Sequence, residues 1–237
     1  ESLEKKTTEG KNRPSSNKHS ESSTKDERYI RIKELGVGSF GKAYLVKRES
    51  NKEYAVIKTM LLEGLREDER KEAYMEAKIL KGLSHANIVK FIEVFRQSKP
   101  KSTLNIVMEF AEGGDLFTRI RNQVSSGNGY FPENIVLDWF TQICLSIRYI
   151  HKKKILHRDL KSKNIFLTKN SLIKLGDFGI AKCLNTTMDI AKTIVGTPYY
   201  LSPEMVRNEP YSFKSDIWSL GVLLYEMAAL KMPFDAK

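Results

Sequence analysis

One short stretch of the chain, together with an acidic residue that follows it, carries a carboxylate, a lysine and two oxygen ligands at fixed spacing. Residues 157–164 read His-Arg-Asp-Leu-Lys-Ser-Lys-Asn, and Asp177 comes thirteen residues after Asn164. Asp159 can orient a hydroxyl group and accept its proton, and Lys161 can steady a phosphate. Asn164 and Asp177 offer hard oxygen ligands of the kind that Mg²⁺ prefers. Together these residues suit the transfer of a phosphoryl group to a hydroxyl, a reaction that depends on positioning and charge neutralisation.

The elements that must position these residues begin with a glycine-rich turn. The stretch 35–46 carries glycines at 36, 38 and 41 and continues with strand-like alternation. A lone Gly-x-Gly-x-x-Gly also occurs in dinucleotide-binding folds, but there it opens a helix. Here a turn at 49–52 and a second apolar run at 54–57 follow, and that run delivers Lys58. The pattern predicts a strand, the glycine turn, a second strand, a turn and a third strand that carries Lys58. These strands would cover phosphates, where glycine lets the backbone approach closely.

Lys58 alone would be an ordinary solvated lysine, so its meaning depends on a carboxylate partner. Residues 66–83 show a helical pattern, with small and apolar residues on one side and charges elsewhere. Glu76 lies on this predicted helix, and an ion pair with Lys58 would aim the ammonium at phosphate groups. Glu72, one turn earlier, is the competing partner, and we favour Glu76.

A predicted strand ends shortly before a double glycine. The apolar run 105–110 stops before Gly113 and Gly114, which break the strand. The double glycine by itself fits any loop. Its position between the glycine-rich turn and the 157–164 segment favours a connection that takes part in the site rather than an ordinary loop.

A threonine-containing segment, interpreted as an activation loop, separates Asp-Phe-Gly at 177–179 from Ser-Pro-Glu at 202–204. Arg158 directly precedes Asp159, and an arginine buried beside an active site favours a dianionic partner such as phosphothreonine. Thr193 is the predicted phosphorylation site. Thr197 is predicted to hydrogen-bond the catalytic residues and to shape a shelf for the substrate; the alternative is a simple turn threonine before a proline.

With these parts in order, the chain resembles eukaryotic protein kinases over about residues 29–237 and, within them, the NIMA-related (Nek) Ser/Thr kinases. The supporting strings are 106–109, 112–116, 157–168, 175–181, 196–204 and 214–221. The resemblance implies a bilobal α+β fold, with an antiparallel β-sheet and one helix in the N-lobe and a mainly helical C-lobe. It also implies that ATP and Mg²⁺ are used to phosphorylate Ser/Thr hydroxyls of protein substrates, with activation by phosphorylation of the activation loop.

The resemblance assigns further positions to the nucleotide site. Met108 would be the gatekeeper, Glu109 and Ala111 would offer backbone contacts to adenine, and Asp115 would reach the ribose. The predicted nucleotide contacts are Leu35, Gly36, Val37, Gly38, Ser39, Phe40, Gly41, Lys42, Ala43, Val56, Lys58, Met108, Glu109, Ala111, Asp115 and Phe166.

Some positions depart from the general kinase pattern. Ala43 stands where valine is usual and Val56 where alanine is usual, so total volume is kept and the pair is interpreted as compensating. No catalytic position is lost. Phe91 occupies a position that is a tyrosine in some Nek-like kinases, where its hydroxyl supports an inactive arrangement. We predict that this brake is weaker or absent here, the alternative being that Phe91 simply packs.

Composition suits a globular intracellular enzyme. Of the 237 residues 41% are hydrophobic, which is enough for a core. The net charge of +11 would suit nucleic acid, but only 152–154 form a lysine cluster, so no nucleic-acid partner is predicted. No apolar run of about eighteen residues and no signal peptide is visible, and two cysteines favour a reducing compartment. The predicted location is cytoplasmic, and the family resemblance adds microtubule, centrosome or cilium-associated partners.

The expected domain organisation is simple. Residues 1–27 are polar and predicted to be disordered. The kinase domain would span 28–237, with an N-lobe at 28–108, a hinge at 109–115 and a C-lobe at 116–237. Because kinases continue with further C-lobe helices, the sequence predicts a catalytic domain that is incomplete at its C-terminus. The alternative to an active kinase is a nucleotide-binding or docking module without chemistry.

Overall fold

An antiparallel five-stranded sheet forms the first lobe. The computed structural model describes residues 28–38, 41–178, 182–183 and 198–234. The strands are β1 (Tyr29–Gly38), β2 (Gly41–Arg48), β3 (Tyr54–Leu61), β4 (Phe91–Gln97) and β5 (Thr103–Glu109), and they pair in the order β1-β2-β3-β5-β4. Helix α1 (Glu67–Lys81) packs against β4 and β5.

The two faces of this sheet bury different residues because side chains alternate along a strand. Ile57 and Val107 lie in a small cluster with Tyr29 and Phe95 on one face. Met60 and Ile106 lie on the other face, in the main core that includes α1. Lys58 shares this second face, so the alternation of β3 directs it toward α1.

Helices dominate the second lobe. They are α2 (Leu116–Ser126), α3 (Glu133–Lys152), α4 (Pro203–Val206) and α5 (Phe213–Ala229). Short strands lie between α3 and α4: β6 (Ile155–Leu156) pairs with β9 (Lys182–Cys183), and β7 (Ile165–Leu167) pairs with β8 (Ile173–Leu175). Helices α3 and α5 contact each other in the core.

This architecture confirms the predicted α+β, bilobal fold. The helix expected at 66–83 is α1, and the strand expected at 105–110 is β5. None of the described helices is both long and apolar enough to cross a membrane. The predicted disorder of 1–27 lies outside the described residues, and the proposed domain boundaries stay predictions.

Candidate active site

A buried ion pair joins the sheet to α1. Lys58 Nζ lies 2.7 Å from Glu76 Oε1 and 2.9 Å from Asp177 Oδ1. Glu76 is only 4% exposed, whereas the Asp177 side chain is 43% exposed. The structure therefore selects Glu76 as the partner of Lys58. Glu72 instead lies in the electrostatic surroundings of Arg158.

The charge of Lys58 is set by opposing effects. Burial lowers the pKa of Lys58, but the carboxylates of Asp177 and Glu76 outweigh burial and raise it above its ordinary value. Burial raises the pKa of Glu76, and Lys58 opposes that rise. The ammonium thus opposes the effect of burial on the carboxyl group, and the charges of the two residues depend on each other.

Asp159 lies at the centre of a compact set of hydrogen bonds. Lys161 Nζ donates to both Asp159 carboxylate oxygens at 2.9 and 2.7 Å. Asn164 Nδ2 donates to the backbone carbonyl of Asp159 at 2.8 Å and to its Oδ2 at 3.0 Å. Three residues of the 157–164 segment that the sequence singled out are therefore in direct contact.

Asp216, on α5, is completely buried and holds the start of the 157–164 segment in place. Its carboxylate accepts hydrogen bonds from the backbone N–H groups of His157 and Arg158, each at 3.1 Å, and lies 2.7 Å from His151 Nε2. Tyr211 donates to the same carboxylate. Arg158 has a φ of 70°, a left-handed conformation that is costly for a side chain of this size. The buried acceptor holds the loop in this strained conformation.

An apolar stack links the two lobes behind the site. The His157 and Phe178 rings lie 5.2 Å apart, and His157 Nε2 is 3.1 Å from the carbonyl of Gly176. Phe178 and Leu80 belong to the same buried cluster, and Phe91 packs against it. The effect of Phe91 on an inactive state stays a prediction.

Strands β1 to β3 and β5 bring together the residues that were predicted to cover the nucleotide. Ala43 pairs with Lys58 and Gly36, and Val56 pairs with Met108.

Gly41 is required at the turn between β1 and β2, because a Cβ there would lie 2.1 Å from the carbonyl oxygen of Thr59. The side chains of Leu35 and Val37 are exposed on β1. The ammonium of Lys42 forms a surface ion pair with Glu34 at 3.0 Å.

The hinge leaves β5 and turns sharply into α2. Gly113 donates to the carbonyl of Leu167 at 2.7 Å, and a Cβ at Gly113 would clash with that carbonyl. Asp115 caps α2 by accepting hydrogen bonds from Thr118 N and Oγ1 at 2.7 and 3.0 Å. Capping by Asp115 was not predicted from the sequence, although an aspartate before a helix is a typical N-cap. Phe166, on β7, lies against Gly176.

Two further sets of polar contacts were not predicted from the sequence. Tyr200, Ser162 and Glu226 form a buried network in which Ser162 Oγ donates to Glu226 Oε1 at 3.0 Å and Tyr200 donates to the other carboxylate oxygen. Lys174 pairs with Glu109. No local pattern signals either group, since their members are distant in sequence.

Several predicted residues cannot be placed. Ser39, Phe40, Thr193 and Thr197 lie outside the described residues. Their predicted contacts to nucleotide, to Arg158 or to substrate stay predictions.

The comparisons with known proteins agree with this geometry. Residues 29–237 match the family model described as "Protein kinase domain". The chain belongs to the protein kinase family. Serine/threonine-protein kinase Nek1 of Mus musculus is 49% identical over 210 residues, covering 89% of this chain and 17% of that protein. Nek3 of Mus musculus is 50% identical over 209 residues, covering 88% and 39%, and Nek5 of Homo sapiens is 48% identical over 210 residues, covering 88% and 29%.

These relatives confirm the predicted resemblance to Nek kinases. The chain spans less than two-fifths of the length of each of them. What the comparisons establish is therefore a kinase domain of the Nek type.

The donor set of this kinase domain fits a shared magnesium site. In the described ranges, no group of three or more His, Cys, Asp or Glu side chains could hold a metal ion. Asn164 uses its Nδ2 toward Asp159, which leaves its Oδ1 as an acceptor. Mg²⁺ commonly takes one or two protein oxygens together with phosphate oxygens and water. Asn164 and Asp177 are thus suited to Mg²⁺ that arrives with a nucleotide.

Proposed function

We propose that this chain is an active Ser/Thr kinase domain that transfers the γ-phosphate of ATP to hydroxyl groups of protein substrates. The observation that carries the proposal is the position of Lys58, within 3 Å of both Glu76 and Asp177. This contact joins α1, the sheet and the segment before the activation loop in one assembled arrangement. Kinase chemistry requires the lysine–glutamate pair and the metal-binding aspartate to be in place together.

Each residue of the site has a proposed role. Asp159 orients the substrate hydroxyl and accepts its proton, while Lys161, already bound to Asp159, steadies the transferred phosphate. Lys58 binds phosphates of the nucleotide. Asn164 and Asp177 would hold Mg²⁺, which would neutralise charge on the phosphates.

The proposed nucleotide pocket lies between strands β1 to β3 and the hinge at 109–115. The exposed apolar side chains of Leu35 and Val37 support adenine binding, because a ring face of the base would cover them. Glu109 and Ala111 would contact the adenine edge through their backbone. Asp115 would reach the ribose in addition to capping α2. The remaining predicted contacts, Gly36, Gly38, Ser39, Phe40, Gly41, Lys42, Ala43, Val56, Met108 and Phe166, complete the proposed pocket.

Regulation and partners are proposed on the same basis. Phosphorylation of Thr193 would provide the anionic partner for Arg158, and Thr197 would shape the substrate shelf. The relatives, which are named serine/threonine-protein kinases, support protein substrates. A cytoplasmic setting and microtubule or cilium-associated partners are the finer proposal.

The test is transfer of labelled phosphate from MgATP to a generic Ser/Thr protein substrate. Wild type should label the substrate, and Asp177→Ala should abolish labelling. Asp68→Ala, which removes an exposed carboxylate on α1, serves as the matched control and should label normally. Equal labelling by wild type and Asp177→Ala would contradict the proposal. MgATP binding without labelling would favour the docking-module alternative.

A further inference from the structure

An ion pair behind the hinge has no part in the proposed phosphoryl transfer. Lys174 Nζ lies 2.8 Å from Glu109 Oε1 and 3.1 Å from Glu109 Oε2. Lys174 is buried, with 9% of its surface exposed, and the Glu109 side chain is 27% exposed. Glu109 also accepts a hydrogen bond from the backbone N–H of Lys90 at 2.9 Å. A lysine is rarely this buried unless its charge is compensated.

The pair connects the two lobes at a point other than the peptide chain. Glu109 is the last residue of β5, where the chain leaves the sheet. Lys174 lies in β8, three residues before Asp177. The contact thus joins the start of the hinge to the strand that leads into the metal-binding aspartate.

Neighbouring hydrogen bonds make this junction rigid. Leu175 of β8 donates to the carbonyl of Asn87 at 2.8 Å, and Val89 donates to the carbonyl of Leu175 at 2.9 Å. Lys174 is also paired with Phe166 across β7 and β8, and directly opposed residues share one face of a sheet. The lysine therefore extends on the same face as a proposed nucleotide contact.

We propose that the Lys174–Glu109 ion pair is a latch that fixes the hinge against β8, with Lys174 as a positioning residue for nucleotide binding. The inference rests on the proposed kinase function. The latch sets the distance between the hinge backbone, which would contact adenine, and Asp177, which would contact the metal at the phosphates. Fixing the two ends of the nucleotide site before binding lowers the free-energy cost of ordering the site when the nucleotide binds.

A double variant that removes both charges distinguishes a latch from an ion pair that only stabilises the fold, because stability and nucleotide affinity then respond differently. Lys174→Met or Glu109→Gln alone leaves one unpaired charge in a poorly hydrated place, so each should lower stability. Combining the two removes both charges, and stability should recover. The hinge would still lack its attachment to β8, so nucleotide affinity should remain low. If the pair served stability alone, affinity would recover together with stability.

The experiment measures the Kd for MgADP by calorimetry and the melting temperature of each variant in the same buffer. Lys174→Met should raise the Kd about fivefold, and the double variant should keep that loss while melting close to wild type. Lys174→Arg retains a cation that can bind a carboxylate and should bind within about twofold of wild type. The matched control is Lys90→Met, which removes an exposed ammonium and leaves the backbone N–H that Glu109 accepts; its Kd should be unchanged.

Two results would overturn the inference in different ways. A double variant that binds MgADP as tightly as wild type would reduce the ion pair to a structural role while leaving the kinase proposal intact. Failure of the wild type itself to bind MgADP would overturn the proposed function and the latch with it.

Discussion

Replacing Lys58 by methionine should lower stability as well as abolish activity. Of its two carboxylate partners, Asp177 is exposed enough to be hydrated, but Glu76 is 4% exposed and would be left as an unpaired buried charge. Removing one partner of a buried ion pair costs about 3–5 kcal/mol. At about 2–4 °C per kcal/mol for a domain of this size, the melting temperature of Lys58→Met should fall by about 6–20 °C.

The loss should depend on pH in a defined direction. Burial raises the pKa of Glu76, and removing Lys58 removes the charge that opposes this rise. A carboxyl group whose pKa is raised in the folded state destabilises that state as the pH rises through its folded value. The gap in melting temperature between wild type and Lys58→Met should therefore be larger at about pH 8 than at about pH 5.

A double variant and an exposed pair complete the test. Lys58→Met/Glu76→Gln should recover much of the lost stability but none of the activity, because the charge is gone while the proposed phosphate ligand is still missing. Lys71 and Glu67 are also 2.7 Å apart, yet both are exposed, so Lys71→Met should shift stability by less than about 1 kcal/mol. Melting curves for these variants give the answer directly. If Lys58→Met melted like Lys71→Met at both pH values, the argument from burial would be refuted.

Three further predictions concern the supports of the site. Gly41→Ala should weaken MgADP binding and lower the melting temperature, since its Cβ would meet the carbonyl of Thr59 at 2.1 Å; unchanged values for both would contradict the required glycine. Asp216→Asn has one acceptor oxygen in place of two, so one of the bound backbone N–H groups should lose its partner at a cost of about 1–3 kcal/mol, with a lower rate of phosphate transfer and an unchanged Kd for MgADP. Burial raises the pKa of Glu226, so Glu226→Gln should gain stability relative to wild type as the pH rises from about pH 5 to about pH 8. A relative loss over that range, measured by denaturant unfolding, would show that the carboxylate form is the favoured one.

Local pattern was enough to predict the strand and the helix that carry Lys58 and Glu76. The alternation around Lys58 and the helical period around Glu76 predicted a strand and a helix, and their contact followed from the expected fold. Periodicity alone did not separate Glu76 from Glu72, because both lie on one helix a turn apart. Their different burial, which depends on how α1 packs against the sheet, decided between them.

Contacts between distant charged residues could not be predicted in this way. Lys174 and Glu109 are 65 residues apart, and each by itself is an ordinary charged residue in a strand. Ser162 and Glu226 are equally uninformative until the loop after β6 is placed on α5. Such pairs depend on tertiary packing, which composition and periodicity do not encode locally.

The charges around the site also limit how its pH dependence can be explained. The carboxylates of Asp177 and Glu76 raise the pKa of Lys58 despite its burial, so this ammonium remains charged over the range in which proteins are usually assayed. Loss of the Lys58 proton therefore cannot cause a fall in transfer rate at moderately alkaline pH. Any such fall must come from another group, such as the attacking substrate or a supporting network. Comparing wild type with Glu226→Gln separates the last of these, because only the network that contains Tyr200 and Ser162 differs between the two proteins.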